Sequence, residues 1–229
     1  MKYAIISDIH SNIEALMAVM SAIGKKHVDD IICLGDIVGY GANPDEAAEI
    51  VRNEAKYVVR GNHDDALFDD RTYSMINPYA RIAIEYGRSV LSPESMNWLK
   101  EIPLTLKLGD VLLVHASPSQ PHEWKYVLSQ SDALVELSAF EERVCLIGHT
   151  HVPGIFKEET VHGGFRELIN VGSVGQPRDG DSRASFGIID TDNFTYQNIR
   201  VEYDCQMAGN KIIAAGLPPF LAERLQKGR

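Results

Sequence analysis

Short apolar runs alternate with helical patterns over residues 1–60. Three runs that contain β-branched residues are typical of buried strands: 2–7, 31–34 and 57–59. Between them, two segments have apolar residues at helical spacing and follow an asparagine that can cap a helix: 13–23 and 44–53. This β-α-β-α-β order predicts parallel strands connected by right-handed crossovers.

The rest of the chain predicts more helices and then a β-rich part. Two helices that start with proline and a hairpin are expected, in this order: 78–91, 93–100, and 104–108 with 111–115. A helix through Leu134, Leu137 and Phe140 is predicted to precede a strand at 144–147. Later strands are predicted at 166–170, 186–190 and 198–201. Helical stretches are predicted after them, around Ile212 and Leu221. We expect an α/β fold with one domain, 1–229, in which early strands pair in parallel and late strands pair antiparallel.

Polar side chains cluster in the loops that follow the predicted strands. These loops hold five of the eight histidines, together with aspartates and an asparagine. The segments are Asp8-Ile9-His10, Gly35-Asp36, Gly61-Asn62-His63-Asp64, His115 and Gly148-His149-Thr150-His151. Each segment alone has an ordinary explanation, such as a helix cap or a pair of surface histidines. Because ligands gather at the carboxyl ends of strands in α/β sheets, the five segments together indicate a metal centre.

Composition places the chain among ordinary globular proteins. Hydrophobic residues make up 45% and charged residues 24%, and no apolar run approaches the ~20 residues that span a bilayer. The first apolar run ends at Asp8, too early for a signal peptide. The three cysteines are widely spaced and predict no disulfide framework. We therefore expect a cytoplasmic protein without a membrane partner.

The net charge limits the partners of the protein. With 22 Lys+Arg against 32 Asp+Glu, the formal charge is −10 at pH 7. This balance disfavours a nucleic-acid polymer as a partner, because such binding needs surplus lysine and arginine. The negative net charge does not exclude a small phosphorylated substrate, since a local site can be positive on an acidic protein. The sequence leaves the oligomeric state open.

In this order, the five segments resemble the signature of the calcineurin-like metallophosphoesterases. Their tight spacing is similar to that of the compact bacterial and archaeal phosphodiesterases of that superfamily. The segments 35–41 and 170–173 strengthen this narrower resemblance. The resemblance implies two packed mixed β-sheets flanked by helices, an α/β/β/α sandwich.

The resemblance also implies a role for each residue. Two divalent cations, of Mn, Fe, Zn, Ni or Co, would be held by oxygen and imidazole ligands. Asp8, His10 and His151 would bind the first cation, Asn62, His115 and His149 the second, and Asp36 would bridge both. His63 would be the catalytic histidine, and Asp64 would accept a hydrogen bond from it and fix its orientation.

These roles form a consistent mechanism. The two cations outweigh the charges of Asp8, Asp36 and a bridging hydroxide by about one unit, which favours an anionic substrate. The hydroxide would attack phosphorus in line. His63, with an ordinary pKa of about 6.5, would protonate the leaving group.

Four further residues are candidates for substrate binding. Arg178 and Arg183 lie in a loop rich in glycine and aspartate, where each either contacts phosphate or pairs with Asp179 or Asp181. Asn12 either contacts substrate oxygens or caps a helix, and Tyr40 either stacks on a base or packs against its loop. Three other histidines are predicted to lie at the surface: His27, His122 and His162.

The sequence thus predicts a dimetal phosphoesterase, either a phosphodiesterase or a nucleotide phosphohydrolase acting on small molecules. A phosphomonoesterase or a phosphoprotein phosphatase of the same fold is the first alternative. A non-catalytic scaffold on this fold is the alternative from another class. The presence of His63 and of each ligand position favours an enzyme.

Overall fold

We describe the protein from a computed structural model that covers residues 1–159 and 164–229. The strands are β1 Lys2–Ile6, β2 Asp30–Cys33, β3 Tyr57–Val58, β4 Thr105–Leu108, β5 Val111–Val114, β6 Val144–Ile147, β7 Gly154–Glu159, β8 Phe165–Asn170, β9 Ala184–Asp190 and β10 Thr195–Val201. The helices are α1 Ile13–Ile23, α2 Pro44–Glu54, α3 Asn62–Asp65, α4 Asp70–Met75, α5 Pro78–Val90, α6 Pro93–Glu101, α7 Gln130–Leu137, α8 Cys205–Ala214 and α9 Pro219–Lys227. A short 3-10 turn covers Pro121–Glu123.

The strands form two mixed five-stranded sheets. The first has the order β10-β9-β1-β2-β3, and the second has the order β4-β5-β6-β8-β7. In the first sheet, β1, β2 and β3 are parallel to one another, and β9 and β10 are antiparallel to their neighbours. In the second sheet, β5, β6 and β8 are parallel, and β4 and β7 add antiparallel edges. The two-sheet sandwich implied by the resemblance is therefore confirmed.

A buried apolar layer joins the two sheets. Ile5 and Ile32 contribute from the first sheet, and Leu113, Leu146 and Ile169 contribute from the second. The alternation of side chains along each strand sends every other residue into this layer, and the remaining ones face outward. Helices α1, α2, α5, α8 and α9 cover the outside of the first sheet, and α7 covers the second. The result is the predicted α/β/β/α order of layers.

The sequence pattern predicts the longer elements well and the pairing less well. The expected parallel pairing of early strands holds for β1, β2 and β3, and the expected antiparallel pairing of late strands holds for β9 and β10. The division is not general, because β8 pairs in parallel with β6 and the first sheet joins β1 to β9 antiparallel. Strand β10 begins at Thr195 rather than Asn198, and α7 ends at Leu137, before Phe140. The pattern did not locate α3, α4 or β7. Asn43 stands at the start of α2, but its side chain donates to Glu46 instead of capping the helix.

Two further expectations concern the surface. His27 and His122 are exposed, as predicted, and His162 lies outside the described residues. Across residues 1–159 and 164–229, every helix is too short or too polar to cross a lipid bilayer.

Leu113→Ala tests the layer between the sheets. Leu113 is fully buried there, so we expect a loss of about 2–5 kcal/mol in unfolding free energy from lost burial and the cavity that remains. Leu128, which is 70% exposed, supplies the matched control, and Leu128→Ala should change stability by less than about 0.5 kcal/mol. Urea denaturation measures both values, and equal losses would contradict the assignment of Leu113 to the core.

Candidate metal centre

The loops that follow five parallel strands meet at one edge of the sandwich. Asp8 follows β1, Asp36 follows β2, Asn62 follows β3, His115 follows β5, and His149 with His151 follows β6. Each of these side chains is almost completely buried. The carboxyl ends of parallel strands share one edge of a sheet, and the packing of two sheets brings two such edges together. The structure therefore gathers the residues that the sequence predicts as ligands.

The backbone at these residues is unusual. Five non-glycine residues there have positive φ angles: Asp8 at 52°, His10 at 49°, Asp36 at 50°, His149 at 67° and His151 at 62°. This left-handed conformation costs roughly 1–2 kcal/mol per residue for an L-amino acid. Hydrogen bonds between loops hold it in place, such as that from the His10 N–H to the Asp36 carbonyl at 2.9 Å. Strain of this kind concentrates at functional sites.

The first group of ligand atoms comes from Asp8, His10, Asp36 and His151. One donor atom from each lies within 4.8 Å of those of the others. The Asp8 Oδ1 atom is 3.2 Å from His151 Nε2, and the Asp36 Oδ2 atom is 3.6 Å from His10 Nε2. Two carboxylates and two imidazoles around one point suit a divalent transition metal.

The second group shares Asp36 with the first. Asp36, His115 and His149 place their donor atoms within 4.8 Å of one another, and Asp36 Oδ2 is 3.4 Å from His115 Nε2. The buried Asn62 Oδ1 atom has no hydrogen-bond partner among the described residues. A carboxylate common to two groups is the arrangement expected of a bridging ligand.

The imidazole hydrogen bonds show that the site fits cations. The Nδ1 atoms of three histidines contact backbone carbonyls: His10 with Val38 at 3.1 Å, His115 with Leu34 at 2.8 Å and His151 with Gln176 at 2.5 Å. A neutral imidazole that donates from Nδ1 has a lone pair on Nε2, ready for a metal. The Nε2 atoms of His10 and His151 are only 3.1 Å apart, so their lone pairs repel unless a positive charge is shared between them. The buried Nε2 atoms of His115 and His149 also have no hydrogen-bond partner among the residues that the structure describes.

Electrostatics also favours cations here. Burial alone would raise the pKa of Asp36, but the neighbouring His115 and His63 side chains hold that pKa well below its usual range. Burial would likewise lower the pKa of His115, yet the Asp36 carboxylate outweighs it and raises the pKa to about 9. Without a cation His115 therefore holds a second proton, and a bound cation would take the place of that proton on Nε2. Buried charges need compensating partners, because their removal from water costs several kcal/mol each. Asp8 and Asp36 together therefore form an anionic site for divalent cations.

A model of the calcineurin-like phosphoesterase superfamily domain matches residues 1–194 of the sequence. The chain belongs to this superfamily. An uncharacterised protein of Methanocaldococcus jannaschii is 40% identical over 240 residues, which cover 99% of this chain and 98% of that protein. A metallophosphoesterase from Sphaerobacter thermophilus has a crystal structure with 39% identity and a TM-score of 0.89, covering 100% of this chain and 99% of that one. A hypothetical protein from Pyrococcus horikoshii, at 22% identity and a TM-score of 0.85, covers 100% and 98% of the two chains and shares the fold.

His63 lies beside the ligands of this calcineurin-like centre. Its backbone N–H donates to Asp36 Oδ1 at 2.8 Å, and its ring centroid is 4.7 Å from that of His10. The ring packs so closely on Gly39 that a Cβ atom at that position would clash with it. Burial lowers the pKa of His63 to about 4, so the imidazole is neutral at pH 7. The ordinary histidine pKa of about 6.5 therefore does not apply to this buried ring, and we expect His63 to act as a neutral N–H donor.

Asp64 has a different role from the one expected. Its carboxylate accepts hydrogen bonds from the backbone N–H groups of Gly61 at 3.0 Å, Ile37 at 2.9 Å and Val38 at 3.1 Å. Within the described residues, His63 Nδ1 has no hydrogen-bond partner. The predicted hydrogen bond between His63 and Asp64 is therefore wrong. Asp64 instead ties the loop after β3 to the loop after β2, and so positions two ligand loops of the superfamily site.

Two substrate-binding candidates have structural roles. Asn12 caps α1, since its Oδ1 accepts from the Ala15 N–H at 3.1 Å, and its Nδ2 donates to the Gly175 carbonyl at 2.8 Å. With its amide engaged at both ends, Asn12 is not free to bind substrate. Tyr40 is 4% exposed and packs its ring 4.6 Å from that of His63, so it packs against the site rather than presenting a free face to a base.

The two arginine candidates, Arg178 and Arg183, make different contacts. Arg183 is exposed and pairs with Asp181 through several contacts, the shortest at 2.7 Å. The structure thus favours the loop-ordering alternative for Arg183, and its predicted role in substrate binding is not supported. Arg178 lies against the metal-binding loops, because its backbone N–H donates to the His151 carbonyl at 3.3 Å. Substrate binding by Arg178 stays a prediction.

Three residues of the site were missed in the sequence. Tyr126 stacks on His149 with ring centroids 4.1 Å apart, and Trp124 lies at 6.2 Å from His115. Both follow the His115 loop and form one wall of a cleft beside the metal ligands. Arg224 of α9 lies over Tyr40, far from every motif in the sequence. The aromatic residues so soon after His115 were a usable signal, whereas nothing in the sequence singles out Arg224.

Asp36→Asn tests the shared carboxylate. An amide carries no charge, so we expect the variant to lose most of both cations after incubation with Mn²⁺ and desalting. Elemental analysis measures the number of metal ions per chain. Asp110→Asn, in the exposed turn between β4 and β5, is the matched control and should bind metal as the wild type does. Full occupancy of both sites in Asp36→Asn would contradict the bridging role.

Proposed function

We propose that the protein is a dimetal-dependent phosphodiesterase or nucleotide phosphohydrolase that acts on small molecules. The observation that carries the proposal is a cleft of about 260 Å³ beside the shared carboxylate. Asn62, His63 and His149 line it on the metal side, and Trp124 and Tyr126 line the other side. The cleft has the size of a small organic group, and aromatic walls favour a planar one.

The residues around the cleft suit phosphoester hydrolysis. When bound, the two cations would polarise phosphoryl oxygens and activate a water molecule. His63 lines the cleft, so its imidazole is placed to donate an N–H hydrogen bond to an oxygen of the phosphoryl group or leaving group. Asp64 and Gly61 hold the loop that carries His63, so the donor is positioned before substrate arrives.

Hydrolysis rates on three substrates test the proposal. With the Mn²⁺-loaded protein, we expect kcat/KM for bis(p-nitrophenyl) phosphate to exceed that for p-nitrophenyl phosphate by about tenfold, which is about 1.4 kcal/mol in activation free energy. A dinucleoside polyphosphate should also be hydrolysed. A preference for the monoester would instead favour a phosphomonoesterase. Absence of hydrolysis at full metal occupancy would favour the non-catalytic scaffold.

His63→Ala tests the catalytic histidine. Loss of one hydrogen-bond donor to the reacting group should lower kcat by about 10²–10³ while the metal content stays unchanged. His63→Gln retains an N–H donor, so it should keep more activity than His63→Ala. Steady-state rates on bis(p-nitrophenyl) phosphate and elemental analysis provide the readouts. Wild-type turnover in His63→Ala would show that this side chain does not take part in the reaction.

A further inference from the structure

Two arginines from distant parts of the chain meet beside the metal centre. Arg178 comes from the segment that follows β8, and Arg224 comes from α9. Their Cζ atoms lie 5.8 Å and 6.0 Å from the centroid of the Tyr40 ring. Both side chains are half-buried. Burial and the charge of Arg178 lower the pKa of Arg224, in keeping with two guanidinium groups that share the Tyr40 ring as a neighbour.

The acidic neighbours of this pair are engaged elsewhere. Asp179 pairs with Arg200, and Asp181 pairs with Arg183. Arg178 donates to the Gln176 Oε1 atom at 2.9 Å, and Arg224 Nε donates to the main-chain oxygen of Arg229 at 2.6 Å. Among residues 1–159 and 164–229, no side-chain carboxylate lies within 4.0 Å of Arg178 or Arg224. Arg229 is the last residue, so one N–H group of Arg224 is already bound at a terminal main-chain oxygen. The remaining N–H groups of the two guanidinium groups have no side-chain carboxylate as a partner within the described residues, so they can bind an anion.

Arg178 and Arg224 lie close to the cleft beside the candidate metal ligands. The Arg178 backbone N–H donates to the carbonyl of His151, one of the candidate metal ligands. Arg224, whose Cζ atom lies 6.0 Å from the Tyr40 centroid, lines a second cleft of about 550 Å³. Asn77 lines both clefts and donates to the Tyr40 hydroxyl at 3.1 Å. A ligand held at the metal centre can therefore extend past Tyr40 towards Arg224.

We propose that Arg178 and Arg224 bind a second phosphate group of the substrate, next to the phosphoryl group held at the metal centre. The substrate class is then a nucleotide with two or more linked phosphates, rather than a simple diester. This inference rests on the proposed function and narrows its substrate. The planar guanidinium groups match phosphate oxygens in geometry, and the half-buried setting strengthens the attraction.

Binding of AMP and ADP tests the second phosphate position. Isothermal titration of the Mn²⁺-loaded protein, at constant free Mn²⁺, measures both dissociation constants; ADP is used as its α,β-methylene analogue, so that the phosphate linkage is not hydrolysed. We expect ADP to bind about tenfold or more tightly than AMP, because the second phosphate gains charge-assisted hydrogen bonds. In Arg224→Gln, the AMP dissociation constant should exceed the ADP dissociation constant by no more than about twofold. The affinity for AMP itself should stay within about threefold of the wild-type value. Arg178→Gln should reduce the preference for ADP over AMP in the same way. This second variant provides the test if Arg224→Gln does not fold.

Arg143→Gln is the matched control. Arg143 is also an arginine over an aromatic ring, 4.4 Å from the Phe194 centroid, but it precedes β6, at the end opposite His149. This variant should keep the wild-type ratio. An unchanged ADP-to-AMP ratio in both Arg224→Gln and Arg178→Gln would overturn the proposal, as would equal loss of AMP and ADP binding. Because the titration needs no hydrolysis, it separates failure of this proposal from failure of the proposed phosphodiesterase activity.

Discussion

The buried carboxylate of Asp36 is the group on which the whole site depends. Its side chain is 2% exposed, its Oδ1 accepts the His63 backbone N–H, and its Oδ2 faces both His10 and His115. An ionised carboxylate in such a place is costly unless positive charge surrounds it. The imidazoles and the cations they would hold supply that charge, which is why ligands from both sheets must converge on this one residue.

The loops around Asp36 are built to keep it in place. A Cβ atom at Gly61 would clash with the Asp36 side chain, so the loop after β3 approaches as closely as a backbone can. Asp64 then connects that loop to the N–H groups of Ile37 and Val38. Burial and the nearby Asp36 charge raise the pKa of Asp64 to about 7, so three backbone donors are needed to support its charged form. The metal centre and the loop structure thus depend on the same few hydrogen bonds.

The sequence predicted features that local chemistry determines. Helices such as α5 and α6 begin with proline after a capping residue, and buried strands such as β6 are continuous apolar runs, so both are visible in the pattern. Polar residues after parallel strands located the candidate ligands, because the strand ends fix where those side chains go. The site residues that depend on tertiary contacts were not predictable in this way. The partners of Asp64 follow from the path of another loop, and Arg224 reaches the site only because α9 packs across the first sheet. The single turn α3 is too short to show any helical period.

The left-handed backbone at the ligands also shapes how such a site can be lost in evolution. Asparagine, aspartate and glycine tolerate that conformation best. A single nucleotide change can convert aspartate to asparagine or glycine, and can convert histidine to asparagine or aspartate. A descendant that drifted through these replacements at Asp8 or His149 would lose its cations and yet retain the same loops. Architecture alone therefore cannot separate active from inactive descendants of this fold. The chemical identity of a handful of side chains on an unchanged frame decides which of them remain enzymes.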